Sequence, residues 1–314
     1  MFHPSLSKSG KILFDPLIRV CEYLGVHHPV LLVQIRYFFC YKRFANLKNP
    51  KDLNEKILYL KLFTDTSKWV EFADKYKVRD YVKKVGLGNI LVELYGHWDS
   101  VEDFKNGFES LPNSFILKAN NGDGKGSYVI VNEKLEFTGE QFNTLCATVR
   151  NWLGNKHVGA LGAEPHYRKI KPCIIAEELL PSVKGETSPT DFKIWCFNGE
   201  PYFIWVCNDR SNHGSSAHVM TYDTDWVAHP EYQKFNSDYL EGAVMPKPEN
   251  LDEMLVVARR LSAGFPEVRV DLYNIDNKIY FGELTFTSFG GLNTDKAQEF
   301  LNLCGELVKI PCSP

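Results

Sequence analysis

No stretch of this sequence is apolar for long enough to cross a bilayer. Its most apolar run, Pro29 to Tyr41, is short and is interrupted by Gln34 and Arg36, whereas a spanning helix needs about 20 apolar residues. The N-terminal stretch Met1 to Lys11 lacks the apolar centre of a secretory signal. Net charge is also scarce: 36 Lys and Arg against 39 Asp and Glu leave −3, with a pI near 6.3. That balance gives no electrostatic basis for a nucleic-acid partner. The eight cysteines form no C-x-x-C pair, and several lie in apolar runs such as Ile194-Trp195-Cys196-Phe197. They read as small buried hydrophobes in a reducing compartment. Arg210, His213 and His218 lie in a polar stretch whose spacing fits no zinc site. There are no internal repeats or low-complexity runs. What remains is an ordinary globular composition, 314 residues with 44% hydrophobic and 24% charged. It is expected to fold as two or three lobes in the cytoplasm.

The most informative stretch runs from Val268 to Phe286. Two segments rich in β-branched and aromatic residues flank Asp276-Asn277-Lys278, which reads as a β-hairpin. Arg269 and Asp271 project from one face of the first strand, and Glu283 and Thr285 from one face of the second. A three-residue loop at Asp276 to Lys278 sets Asp271 opposite Glu283 and Arg269 opposite Thr285. A two-residue turn sets the two carboxylates on opposite faces. Paired carboxylates repel unless a cation lies between them, and Mg²⁺ is held by one or two carboxylates plus substrate phosphates. The stretch alone allows either a metal site or an exposed acidic pair.

Elsewhere the chain alternates helical and strand patterns. Residues 12 to 44 read as one or two amphipathic helices broken near Gly25 to Pro29, and Arg36 to Arg43 fits either a membrane surface or a core. A helix from Asn54 to Phe63 has Asn54 as its expected cap. Lys68 to Val85 has helical spacing, with Lys75 on a charged face. A strand is expected at Ile90 to Tyr95 and a helix from Asp99 to Phe108 with Ser100 and Asp103 at its start. Thr138 to Leu153 and Leu251 to Leu261 read as helices, as does Asp295 to Leu307. Pro172 to Leu180 is an apolar strand carrying Glu177 and Glu178. Asp191 to Phe197 and Pro201 to Cys207 form a hairpin across Asn198-Gly199, with Asp191 and Lys193 on one face.

Between the strands Ser114 to Ala119 and Tyr128 to Val131 lies Asn120-Asn121-Gly122-Asp123-Gly124-Lys125-Gly126-Ser127. Glycines let backbone N–H groups approach phosphate oxygens, and Lys118 ends the preceding strand. The alternative is a flexible hairpin tip. It is not a P-loop, since G-x-x-x-x-G-K-[ST] is absent and a strand follows.

Four stretches together resemble the ATP-grasp superfamily, most closely its teichuronopeptide-biosynthesis (TupA-like) branch. They are Asn49 to Ile57, Ala73 to Val82, His166 to Glu178, and Gly264 to Tyr273 continuing into Phe281 to Phe286. The likeness spans roughly residues 40 to 300. It implies an α+β ATP-grasp fold, two lobes clasping ATP behind an N-terminal helical extension (1–45). The expected divisions are a preceding region (46–113), a lid subdomain (114–180) and a C-terminal subdomain with the metal site (181–314).

The resemblance also implies roles. Lys75 and Lys118 match lysines on ATP phosphates, and Asn121, Gly122, Gly124, Gly126 and Ser127 lie in the matching lid. Glu177, Glu178, Leu179 and Leu180 match the adenine hinge, and Asp191, with Lys193 beside it, the ribose-binding acid. Asp271 and Glu283 match Mg²⁺ ligands; Thr285 falls where many members carry Asn as a third. Arg269 and Lys118 are the implied catalytic residues, and Arg210 is assigned to a substrate carboxylate. The implied activity is an ATP- and Mg-dependent carboxylate–amine ligase working through an acyl-phosphate. Its substrates would be an amino acid and a sugar acid or glycan precursor of cell-surface polysaccharide, with peripheral membrane association open. A sugar kinase on the same fold and a non-catalytic nucleotide-binding partner of a glycan assembly complex are the alternatives.

Overall fold

The computed structural model describes residues 8–122, 124, 126–182, 189–208 and 216–311, the side chains of 8–15 excepted. Its N-terminal helices α1 (Lys8–His27) and α2 (Pro29–Tyr41) break within the expected span. Pro29 opens α2, where its missing N–H costs no helical bond. Leu32, Val33 and Tyr37 bury one face of α2 against Leu58 and Leu292.

Helix α3 (Leu53–Phe63) is capped by Asp52, whose carboxylate accepts the Glu55 N–H. Asn54, the expected cap, is buried inside the first turn and donates to Tyr41 Oη at 2.6 Å. The continuous helix expected from Lys68 to Val85 is instead two, α4 (Ser67–Phe72) and α5 (Val78–Lys84). Asp74 breaks it by accepting the N–H groups of Tyr76 and Lys77 at 2.9 and 3.3 Å, a local bond that competes with the helix. The turn so formed carries Lys75.

One lobe is built on a four-stranded antiparallel sheet of β1 (Leu94–Trp98), β2 (Phe115–Ala119), β3 (Tyr128–Val131) and β4 (Ile174–Glu177), in the order β1-β4-β2-β3. Helices α6 (Val101–Phe108) and α7 (Gly139–Gly154) cover one face. Phe104, Phe108, Phe115, Leu117, Val149 and Ile174 fill that layer. The alternation that buries Leu117 turns Lys118 to the opposite face. Strand β1 and α6 precede residue 114 yet belong to this lobe. A short α8 (Pro165–Lys169) leads into β4.

The second lobe is a six-stranded sheet ordered β10-β9-β5-β6-β7-β8. Its strands are β5 (Asp191–Phe197), β6 (Glu200–Asn208), β7 (Ala217–Asp223), β8 (Tyr239–Glu241), β9 (Glu267–Ile275) and β10 (Lys278–Thr285). The turn Asn198-Gly199 has both φ positive, at 54° and 84°, as a two-residue hairpin requires. Strand β7 lies in the stretch around His218 that reads in sequence only as polar, and the short β8, parallel to β7, lies where no element is expected. Helices α9 (Leu251–Ser262) and α10 (Gln298–Leu307) complete the lobe. Val268, Val270 and Leu272 are fully buried in its core, so alternation turns Arg269 and Asp271 to the other side of the sheet.

Candidate active site

The β9–β10 hairpin closes through a two-residue turn, Asp276-Asn277, with φ of 50° and 60°, and Ile275 pairs with Lys278. The expected three-residue loop is therefore corrected to a two-residue one. Continued unbroken, this register would send Asp271 and Glu283 to opposite faces. It is not continued: it shifts between Phe281 and Glu283, and beyond the shift Glu283 pairs with Asp271 and Thr285 with Arg269. The inserted residue is Gly282. A Cβ there would lie 2.9 Å from the Asp271 carbonyl oxygen, so the bulge needs glycine's close approach.

Around Asp271 the charges are densely paired. Arg269 Nε and Nη2 donate to its two oxygens at 2.6 and 2.8 Å, and Lys193 Nζ donates to Oδ2 at 2.6 Å. Lys193 also lies 3.3 Å from Asp191. The Thr285 hydroxyl accepts from Arg269 at 3.1 Å and donates to Glu283 at 3.3 Å. Arg269 Nη1 has Ser288 Oγ at 3.5 Å. Burial alone would raise the Asp271 carboxyl, but Arg269 and Lys193 more than reverse it and hold the group below its usual range. Burial would likewise raise Glu283, and the nearby cations Lys75, Lys193 and Arg269 together more than offset it. The neighbouring acids Asp191 and Asp271 keep buried Lys193 charged, overcoming the opposite effect of desolvation.

In the other lobe Glu177 is buried at the end of β4 between two cations. Arg79 Nη1 and Lys118 Nζ each lie 2.8 Å from one of its oxygens. The Glu178 N–H is taken by the Glu93 carbonyl at 2.9 Å. Leu179 and Leu180 follow without regular structure and are half-buried. In the glycine-rich segment, Gly124 and Gly126 have φ near 86° and 85°, and Trp152 of α7 donates to the Gly126 carbonyl at 2.6 Å. Ser127 Oγ donates to the Gly124 carbonyl at 2.5 Å, while Asn121 is buried at the loop's start.

Lys75 joins the two lobes. Its Nζ donates to the Gly122 carbonyl at 2.5 Å and lies 3.4 Å from Glu283. One ammonium thus touches both the glycine-rich loop and the carboxylate pair. The structure brings together Lys75, Gly122 and Glu283, then Asp271, Arg269, Thr285, Lys193 and Asp191, with Lys118 and Glu177 as a second pair. Arg210 lies outside the described residues.

Among the described residues no three His, Cys, Asp or Glu side chains converge as a metal cage. Two carboxylates on paired strands suit Mg²⁺, which completes its octahedron with phosphate oxygens and water. The donor set therefore fits such an ion arriving with a nucleotide, held by Asp271 and Glu283. Thr285 has its proton on Glu283 and its oxygen on Arg269, which makes it an orienting group for both.

Sequence reasoning missed Arg79 as the partner of Glu177 and Asp74 as the group that shapes the Lys75 turn. Both lie inside the stretch Ala73 to Val82, and the only available signal is that Arg79 follows Lys75 by four residues, one turn of the helix expected there. Ser288 beside Arg269 carried none.

A family model described as TupA-like ATPgrasp matches residues 55–309. No curated protein matches the chain in sequence. Among solved structures, N5-carboxyaminoimidazole synthetase from Staphylococcus aureus complexed with ADP is 12% identical, with a TM-score of 0.42 over 82% of this chain and 50% of that one. D-alanine–D-alanine ligase from Bacillus anthracis complexed with ATP is 14% identical, with a TM-score of 0.40 over 76% and 58%. The ATP-grasp ligase PsnB complexed with minimal precursor is 11% identical, with a TM-score of 0.42 over 96% and 74%. The chain spans half the length of the first of these. Likenesses at this distance identify no residue's role.

Proposed function

We propose that this chain, which belongs to the TupA-like ATP-grasp family, is an ATP- and Mg-dependent ligase that joins a carboxylate to an amine. The observation that carries the reading is the Lys75 ammonium, held between the Gly122 carbonyl and Glu283. It lies beside an acidic pair whose partner Asp271 is already clamped by Arg269 and Lys193. Lys75, Lys118, Arg79, Lys193 and Arg269 oppose Glu177, Asp191, Asp271 and Glu283. The surplus is a single positive charge, suited to a magnesium–nucleotide complex and too small to attract a bare polyanion.

In the reaction a carboxylate oxygen attacks the γ-phosphorus of ATP, the bond to the bridging oxygen breaks, and ADP leaves. An amine then attacks the acyl carbon, phosphate departs with the C–O electron pair, and the amine's proton is released. A bound Mg²⁺ would supply charge neutralisation at the transferred phosphoryl group. The side chains of Lys75 and Lys118 bind the phosphates. Asp271 and Glu283 would hold the ion, and Thr285 orients Glu283. Arg269 is locked by Asp271 through two nitrogens, and its Nη1 is assigned to the oxyanion of the second step. The glycine-rich loop excludes water, which would otherwise hydrolyse the acyl-phosphate. The hinge Glu177 to Leu180 receives the adenine through its backbone, since the Glu177 carboxylate is engaged by Arg79 and Lys118. Asp191, braced by Lys193, receives the ribose.

The substrates are assigned as a uronic or amino acid and an amine, in the assembly of a cell-surface polysaccharide. The requirement for ATP puts this in the cytoplasm. The test is to incubate the protein with ATP, Mg²⁺ and a panel of uronic and amino acids, with hydroxylamine as the trapping amine. Hydroxamate with ADP and phosphate supports the ligase. A stable phosphorylated sugar without hydroxamate makes it a kinase, and no nucleotide turnover with any acid leaves a binding partner only.

A further inference from the structure

The first 44 residues differ from the rest in charge and in surface. They hold six Lys and Arg against two Asp and Glu, a net +4, while the remainder holds 30 against 37, a net −7. Helices α1 and α2 are fixed to the body on one side. Gly25 approaches so closely that a Cβ would meet the Ala160 carbonyl oxygen at 1.8 Å, and the Arg36 guanidinium donates to the Leu161 carbonyl. On the other side large apolar groups stand in solvent. Tyr23 is 57% exposed, Leu31 51%, Phe39 69% and Phe44 65%. Phe38 contacts both Phe39 and Phe44, with ring centroids 6.3 and 5.3 Å apart, so three phenyl rings form one cluster at the end of α2.

Cations lie on the same segment. Arg19 is exposed on α1, and exposed Lys42 follows α2 with its Nζ on the Phe39 carbonyl at 3.2 Å. Arg43 is already paired with Asp52 and Glu55, and of the two acids Glu22 lies 3.4 Å from His157. Among the described residues no helix is long and apolar enough to cross a membrane. An apolar face accompanied by Arg and Lys lies in the plane of a membrane surface instead. A second copy is disfavoured by the same charges, because a two-fold contact would set each cationic patch against itself.

We propose that the outer face of α1 and α2 is a docking surface for an anionic lipid bilayer. Phe39 and Phe44 enter the acyl boundary while Arg19 and Lys42 meet the headgroup phosphates. None of its side chains is assigned to nucleotide chemistry, so it stands independently of the ligase reading. It falls in a segment that the family model leaves uncovered.

The test is sedimentation of the full-length protein, without nucleotide, with vesicles of phosphatidylcholine alone or mixed equally with phosphatidylglycerol. Binding to the mixed vesicles should exceed binding to the neutral ones by at least about tenfold and weaken at about 0.5 M salt. Phe39→Asp with Phe44→Asp should weaken it about tenfold or more. Arg19→Glu with Lys42→Glu should weaken it about a hundredfold. Both should leave the melting temperature at the wild-type value. Equal binding to the two vesicles, or to neither, overturns the proposal. So does a dimer in sedimentation velocity that Phe39→Asp dissolves, which would make the face an interface between copies. The wild-type comparison of the two lipids decides the matter even where a variant fails to fold.

Discussion

Substitution of Gly282 tests whether a single residue sets the geometry of the site. A Cβ at this position would stand 2.9 Å from the Asp271 carbonyl oxygen and 3.4 Å from its carbon. Ordinary contact begins near 3.4 Å, so β9 and β10 must part by about half an ångström at the pair that carries both carboxylates. Overpacking of this size costs about 1–3 kcal/mol, and displacement of a reacting group by about 1 Å can cost about a hundredfold in rate. Gly282→Ala should lower stability by about 1–2 kcal/mol and turnover by about tenfold to a hundredfold, and Gly282→Val should do worse. Deletion of Gly282 has the opposite logic. The two-residue turn then runs in unbroken register and still pairs Glu283 with Asp271, so Mg-dependent nucleotide binding should survive better than in Gly282→Val. Urea unfolding and calorimetric titration with Mg–ADP read both effects. A Gly282→Val protein with wild-type stability and wild-type Mg–ADP affinity would refute the reasoning.

Other perturbations separate the site's parts. Lys75→Met removes one charge-assisted contact to the phosphates and should weaken ATP binding by about tenfold or more, read by equilibrium titration. Arg79→Met leaves the buried Glu177 carboxylate with Lys118 alone and should cost about 3 kcal/mol in urea unfolding. An unchanged midpoint would contradict the pairing. Glu267 is fully buried, neither carboxylate oxygen has a hydrogen-bond partner among the described residues, and burial pushes its pKa well above 4.5. The folded protein therefore keeps a proton that the unfolded chain releases above pH 4.5, and stability falls as pH rises, by about 1.4 kcal/mol per unit until the folded pKa is reached. Glu267→Gln should remove that slope, matching wild type near pH 4 and exceeding it at pH 7. Parallel pH–stability curves would rule it out.

Much of the fold was legible because alternation and turn chemistry are local. The Asn198-Gly199 hairpin, the Ser100 cap of α6, whose hydroxyl accepts the Asp103 N–H, and the break before Pro29 all follow from neighbouring residues. The β9–β10 register is less legible. A three-residue loop and a two-residue turn with a bulge give the same pairing at Glu283, and only the close backbone approach at Gly282 separates them. Asp74 shows the limit from the other side: its neighbours have helical spacing, yet its carboxylate takes two N–H groups and ends the helix. Strand β7 is hidden because His218, Thr221 and Asp223 interrupt an apolar signal that the sheet completes from elsewhere, and β8 is only three residues long. The Arg79–Glu177 pair joins residues 98 positions apart, a distance over which no periodicity speaks.

The central claim is that a carboxylate is activated by phosphoryl transfer. Once the trapping panel identifies the acid, that acid should be supplied with both carboxylate oxygens as ¹⁸O, together with ATP, Mg²⁺ and the amine, and the released phosphate weighed by mass spectrometry. The account predicts one ¹⁸O in each inorganic phosphate, because the acyl C–O bond breaks in the second step. Phosphate free of label, with both heavy oxygens still on the acid or its product, would contradict it.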